Sequence, residues 1–469
     1  MRHVDLAVIG SGSGNSIIDD RFSRLSIALI DDGDPFGGTC LNAGCIPSKM
    51  FVHTAEVAGE IRGARRYGLG AEPPTVDWPA IRDRVFGRID PIAQGGMEWR
   101  ESQPNIHLMR GTARFTDVRE LEVSYPDGTS EQLSADRIVL AAGSRPRMPE
   151  IPGLDAPELD GKVHTSNTIM RLEKLPSTMV ILGGGFVALE FAHIFSALGV
   201  SVTLINRSAY LLRHSDAELA QALTDELNHR LVVRLNQSVV EVDGHWRGGI
   251  GVYTTDLNDM EYSYDAEVLL VATGRIPNGD RMNLAATWVD LDSEGYVVVD
   301  AHQRTTAEGI FALGDISNPS MLKHAANADA RVVQHNLLYH DDMMTSNHAT
   351  IQYAVFCEPQ LAGIGATEQE LRAARTPYLV GVERYADVEY GWALEDRGVH
   401  VAKVLVDPVS LQLLGCHILG QQASTLIQPA IQAMATGLDA RTMARGQYWI
   451  HPALTEVLEN ALLQVAPDR

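Results

Sequence analysis

Two cysteines, Cys40 and Cys45, stand with four residues between them in the stretch GGTCLNAGCIPSK, from Gly37 to Lys49. Thiols at this spacing could form a structural disulfide, half of a metal site, a pair of packed core side chains, or a dithiol that cycles between oxidised and reduced forms. Pro47 suits the first turn of a helix, and the following SKMFVHTAEVAGEIRGARRYG carries a helical apolar period. Cys45 is therefore expected at a helix N-terminus, where the macrodipole favours a thiolate and lowers the thiol pKa. No metal is expected, because Cys357 and Cys416 are isolated and no second close pair of Cys or His ligands is present. A staple across so short a loop would remove little chain entropy. Elimination leaves a redox-active pair, with Cys357 and Cys416 read as buried hydrophobes.

The next residues with chemistry in them are two glycine turns. VDLAVIGSGSGNS, Val4 to Ser16, reads as a strand that ends in Gly10, followed by Gly12, Ser13 and Gly14. Such a turn lets backbone amides approach a pyrophosphate at a helix N-terminus. The next strand, SIALIDD, ends in Asp31 and Asp32, about 20 residues on, where a carboxylate would accept from a ribose hydroxyl. Asn15 replaces the third glycine of the usual fingerprint, and a purely structural βα turn is the competing reading. The second copy, MVILGGGFVALEFAHIFSALGVSVTLINR, is more complete, with Gly183, Gly185 and Ala188 in G-x-G-x-x-A order. Its second strand ends in Asn206, with Arg207 and Arg213 close behind, where an NAD-binding module places an acid. Guanidinium groups there suit a 2′-phosphate, so NADP is expected over NAD, although solvated surface arginines would look the same.

Stepping outward, IVLAAGSRP (with Gly143 and Ser144) and LLVATGRIPN (with Gly274) read as buried strands entering sharp turns. GIFALGDIS places Asp315 at a strand end, as a sugar-hydroxyl acceptor or a helix cap. Two dinucleotide modules in one chain imply two electron carriers that meet. The chain of 469 residues is long enough for several domains, and its net charge of -22 disfavours nucleic acid and anionic membranes. No signal peptide or membrane span is read, and so few cysteines in so long a chain point to the cytoplasm.

In order along the chain, the first glycine turn, GGTCLNAGCIPSK, the two turn strands, the second glycine motif, GIFALGD and the C-terminal HPALTE resemble the FAD-dependent pyridine-nucleotide disulfide reductases over essentially the whole length. The resemblance implies an α/β fold with two Rossmann-like dinucleotide-binding domains, for FAD and NADP, and a C-terminal α+β dimerisation domain. The expected divisions are 1–150 with 275–345 for FAD, 151–274 for NADP and 346–469 for the interface, with the polar stretch Leu337 to Thr350 as linker. It also implies that Cys45 is the flavin-proximal thiolate and Cys40 the interchange thiol. His451 would be the acid/base, oriented by Glu456 and contributed by the second subunit of a homodimer. Lys49 and Glu190 would form an ion pair beside the flavin, and Gly38 and Thr39 would join Lys49 in holding FAD. Alone, a histidine is more often packed than catalytic, and Lys49 and Glu190 could be solvated helix charges.

Within that family, GSGSGNSIIDDRF, RVFGRIDPIA and MARGQYWIHPALTEVLENALL look most like the branch that reduces mycothiol disulfide. Lipoamide dehydrogenase and glutathione-type reductases share the redox core, the former disfavoured by Asn206 and Arg207. LLQVAPDR carries no cysteine, which speaks against enzymes that relay electrons through a C-terminal dithiol, so a small-molecule disulfide is the expected substrate. A non-catalytic flavoprotein subunit would have no use for the combined Cys40, Cys45, His451 and Glu456.

Overall fold

The computed structural model describes residues 1–244 and 248–466. Short, β-branched, fully apolar runs make the centre of two parallel sheets, because such strands are covered on both faces. In the first sheet the strands Ile106–Met109, Ile27–Ile30, Arg2–Ile9 and Ser130–Leu140 run parallel, with Ile310–Ala312 beside Ser130–Leu140. An antiparallel extension through Glu120–Ser124 and Thr112–Asp117 widens it. The second sheet is parallel throughout, in the order Val232–Arg234, Ser201–Ile205, Thr178–Leu182, Val268–Val271 and Val163–His164. The chain crosses between these bodies twice, where Ser144–Pro146 pairs antiparallel with Arg275–Pro277. Every glycine turn named above leaves the carboxyl end of a parallel strand, which is where open α/β sheets bind their ligands.

The first glycine turn does not open directly onto the N-terminus of an α-helix, as its sequence implies. Two 3₁₀ turns follow it, Gly14–Ile17 and Asp20–Phe22. Gly14 is a poor helix former through its backbone entropy, and the side chains of Asn15, Ser16, Asp19 and Asp20 compete for the backbone. The freed carbonyls find side-chain donors instead. Arg100, 5% exposed, donates to Asn15 O (2.8 Å) and Ile18 O (3.1 Å), and Gln334 donates to Ile17 O (2.8 Å). The helix Lys323–Leu338 lays Ala330, Val333 and Leu337 against Ile17 and Phe22.

A third, antiparallel sheet is formed by Tyr353–Val355, Gln360–Gly365, Leu413–Gly420, Val401–Val406 and Leu379–Arg384. Helices Gln428–Thr436, Ala440–Arg445 and Thr455–Val465 cover it with one apolar core, which includes Cys416. Cys357 is buried as well, in the core that joins the helix Cys45–Gly63 to the second sheet. Among the described residues no helix is long and apolar enough to cross a membrane.

A buried charge cluster clasps this third layer to the second sheet. Lys403, on Val401–Val406, reaches Asp216 (3.1 Å), Glu218 (2.8 Å) and Glu368 (2.6 Å), and Lys403 and Asp216 are each 1% exposed. Burial works against the ammonium form, but hydrogen bonds to Glu218, Glu368 and Asp216 carry its pKa above the usual lysine value. Lys403→Met would leave the Asp216 carboxylate buried without its cation. The variant is expected to lose about 3 kcal/mol or more of stability. Denaturant unfolding of the full-length protein reads this directly, and an unchanged midpoint would show the cluster to be energetically neutral.

Candidate active site

The cysteine loop is pressed against the first glycine turn. A Cβ on Gly38, whose φ is +75°, would lie 2.6 Å from Gly12 Cα, so only glycine permits the approach. Buried Asn42 braces the loop, its amide donating to the carbonyls of Pro35 (3.0 Å), Phe36 (2.9 Å) and Gly38 (3.2 Å). Thr39 and Cys40 follow on the short helix Gly38–Asn42, and Cys45 is the first residue of the helix Cys45–Gly63. Both cysteines are free thiols, hydrogen-bonded to each other. That hydrogen bond, helped by the Lys49 charge and opposed by burial, lowers the Cys45 pKa to about 7. The same bond, burial and the Cys45 charge push Cys40 well above the usual thiol range. Cys45 is therefore the member that ionises first, and Cys40 holds the proton.

Lys49 lies one helical turn beyond Cys45 and meets Glu190, on the helix Phe186–Ala197, at 2.6 Å. Glu190 also accepts from Phe356 N (3.2 Å), and the Lys49 ammonium sits 4.6 Å from the Phe356 ring centroid. This half-buried pair ties all three layers together at the cysteines.

The two nucleotide turns are built alike. Gly10 and Gly183 have φ of +114° and +126°, and a Cβ on either would fall 2.2 Å or 2.3 Å from the carbonyl oxygen of Ala141 or Ala272. Asp31 accepts from Ser11 N (3.0 Å) and from Arg110 (2.8 Å), which leaves each carboxylate oxygen a further lone pair for a hydroxyl. Ser13 accepts from Lys323 (2.8 Å), and Gly14 opens the first 3₁₀ turn. Ser144 donates to Asp315 (2.7 Å) while accepting from Arg275 Nε (2.8 Å). Arg275 is half-buried, and burial lowers its pKa against the pull of Asp315 and Cys45. A Cβ at Gly143, Gly185 or Gly274 would meet nothing within 4 Å, so bare backbone borders open space beside each module. These residues fit two dinucleotides: acceptors for sugar hydroxyls, amide-lined turns for phosphates and room for close approach.

Asn206 is no ribose ligand in waiting. It is buried, packs against Gly184, and donates to the carbonyls of Ser208 (3.2 Å) and Tyr210 (3.1 Å). It thereby shapes the loop that exposes Arg207 and Arg213, neither of which has an acidic partner among the described residues.

At the other end of the chain, His451 Nδ1 bonds Glu456 at 2.7 Å, and the second Glu456 oxygen accepts from Ala453 N (3.0 Å). Glu456 raises the pKa of His451. The His451 side chain is 64% exposed and makes no hydrogen bond to Cys40 or Cys45 of its own chain. The fold thus gathers Cys40, Cys45, Lys49, Glu190 and the first glycine turn in one place and sets the His451–Glu456 dyad apart. Asn42, Arg110, Arg275 and Lys323 were not singled out from the sequence. The only signal for Arg275 was its place in the turn GRIPN, and Lys323 had none, since its helix start meets Ser13 across 310 residues.

A family model described as pyridine nucleotide-disulphide oxidoreductase matches residues 4–330, and one for the dimerisation domain of these enzymes matches residues 351–462. The chain is 48% identical to mycothione reductase of Mycobacterium tuberculosis, over 99% of each chain. It is 30% identical to dihydrolipoyl dehydrogenase 2 of Haloarcula marismortui, over 97% of this chain and 95% of that one. The solved flavoprotein disulfide reductase RclA of Escherichia coli, as its Cu(II) complex, superposes with a TM-score of 0.86 at 25% identity, covering 98% of this chain and 99% of its own. With its cysteine pair, two nucleotide modules and dimerisation domain, the chain belongs to the pyridine nucleotide-disulphide oxidoreductases, enzymes that use FAD and NAD(P)H.

Proposed function

We propose that the protein is an NADPH-dependent reductase of mycothiol disulfide. The observation that carries the substrate is the 48% identity to a mycothione reductase across 99% of both chains, against 29–30% for lipoamide and glutathione enzymes. The chain would divide into an FAD domain (1–150 with 275–345), an NADP domain (151–274) and an interface domain (346–469), a reading supported by the three sheets of five or more strands, each of which lies within one of these ranges. Asp31, Gly143, Ser144, Asp315, Lys49 and the Gly10–Gly14 turn would hold FAD. Gly183, Gly185, Gly274, Arg207 and Arg213 would hold NADPH. The chemistry these two groups supply when bound is delivery of two electrons to the cysteine pair.

The chain's own residues do the rest. Cys40, once its proton passes to His451 of the partner subunit, attacks one sulfur of the substrate disulfide. An S–S bond forms to Cys40 as the substrate S–S bond breaks, and the departing thiolate takes the proton back from the imidazolium. The Cys45 thiolate then attacks the Cys40 sulfur, which closes Cys40–Cys45 and expels the second substrate half as a thiolate that takes its proton from water. Glu456 keeps the imidazole oriented with its Nδ1–H occupied, so that Nε2 faces the sulfur chemistry. Lys49, fixed by Glu190, lowers the Cys45 pKa and so keeps its sulfur anionic. A cytoplasmic setting suits thiols that must cycle.

NADPH oxidation measured with mycothiol disulfide, glutathione disulfide and lipoamide tests the substrate. Turnover confined to mycothiol disulfide is the expected result, and equal or better reduction of either other disulfide would sink it. For the nucleotide, Arg207→Ala and Arg213→Ala are each expected to raise KM for NADPH about tenfold while leaving KM for NADH nearly unchanged. Parallel increases for both nucleotides would remove the 2′-phosphate assignment.

A further inference from the structure

The dyad has a second carboxylate beside it. Glu389 opens the short helix Glu389–Ala393, and a carboxylate oxygen of Glu389, a ring nitrogen of His451 and a carboxylate oxygen of Glu456 all lie within 4.8 Å of one another. The two acids differ in what they do. Both oxygens of Glu456 are engaged, one by His451 and one by Ala453 N. Glu389 is exposed and has no hydrogen bond or ion pair among the described residues. Both of its oxygens therefore remain free to accept.

Charge decides what such a site admits. With His451 protonated, the three groups sum to one negative charge, and with the ring neutral they sum to two. A disulfide that carries carboxylates meets repulsion there, whereas hydroxyl groups find an acceptor that nothing else in the chain occupies. We propose that Glu389 is a specificity-determining residue of the disulfide site, which accepts hydroxyl groups of an uncharged, hydroxyl-rich disulfide and rejects anionic ones. The proposal builds on the assignment of His451 as acid/base and on mycothiol disulfide as the substrate. The groups facing His451 are Glu456, Glu389 and, behind Glu456, Glu459, whose pKa burial and Glu456 raise. Glu389 adds to the rise in the His451 pKa that Glu456 causes, so it also strengthens the ring as the base that takes the Cys40 proton.

The test compares wild-type and Glu389→Gln holoenzymes with three disulfides that differ in charge: 3,3′-dithiodipropionate, bis(2-hydroxyethyl) disulfide and cystamine. Relative to the neutral disulfide, kcat/KM of the variant should rise about fivefold for the anionic substrate and fall about fivefold for the cationic one, with both effects shrinking at high salt. Glu389→Asp should keep the wild-type order. The pKa of His451, followed by its rate of modification with diethyl pyrocarbonate, should drop by about half a unit in Glu389→Gln. Flavin content and dimeric mass report whether a variant is folded, and Glu389→Ser serves as a second neutral variant. Unchanged substrate ratios, or an unchanged His451 pKa, would overturn the proposal. If wild type fails to reduce mycothiol disulfide, the substrate assignment falls, while the charge series and the His451 pKa still decide the role of Glu389.

Discussion

Cys40→Ser is expected to lower disulfide turnover by at least ~10⁴-fold, to the limit of detection. A serine hydroxyl does not ionise near neutral pH and forms no bond that Cys45 can later cleave. The structure adds a sharper expectation. Because the serine hydroxyl can still donate to the Cys45 sulfur, Cys45 should keep its lowered pKa, and its alkylation rate should still track a midpoint near 7. Cys45→Ser should fail differently. Cys40 can then attack one substrate molecule but cannot be resolved, so mass spectrometry should find one substrate half attached to Cys40. If Cys40→Ser retains turnover within tenfold of wild type, the Cys40–Cys45 pair does not carry the electrons, and a substrate half found on Cys45 in Cys40→Ser would show the order of the two thiols to be reversed.

His451→Ala is expected to lower kcat/KM by ~10²–10⁴-fold, the range of a lost general acid/base. Glu456→Gln separates orientation from charge. Glu456 holds the His451 pKa above the ordinary imidazole value. The ring must be neutral to take the Cys40 proton, so the acid-side fall in wild-type activity lies at a pH above that of a free imidazole. Removing the carboxylate lowers the pKa, and this acid-side fall should move to lower pH. A fall that stays in place, or moves upward, would contradict the dyad. Mixing denatured Cys40→Ser and His451→Ala subunits in equal amounts tests whether the site is shared. Half of the reassembled dimers are then mixed, each with one complete site, which amounts to about a quarter of wild-type activity. No recovery would place the whole site within one chain.

Much of this site was legible because its chemistry is local. Cys40, Cys45 and Pro47 lie on one loop and one helix start, so spacing alone identifies the pair and predicts which thiol sits at the helix end. The glycine turns are legible for a similar reason: Gly10 and Gly183 each end a strand against the backbone of its neighbour, a close approach that excludes a side chain. His451 and Glu456 sit five residues apart, and the intervening turn brings them together.

Other features depend on segments far apart in the chain, and no local period records them. Arg100 replaces a helix continuation by donating to carbonyls more than 80 residues away, and two 3₁₀ turns stand where a helix N-terminus was expected. Asn206 reads as the absence of an acid but acts as a loop brace, a role visible only once Ser208, Tyr210 and Gly184 surround it. Arg275 meets Ser144 across 131 residues, and Glu389 meets His451 from a different element. The sequence by itself determined which residues can do redox, acid–base and nucleotide chemistry, because residue type and short-range backbone geometry are encoded locally. Which of them touch and which charge is left unpaired were decided by tertiary packing, because burial and distance between remote segments set electrostatics and hydrogen bonding.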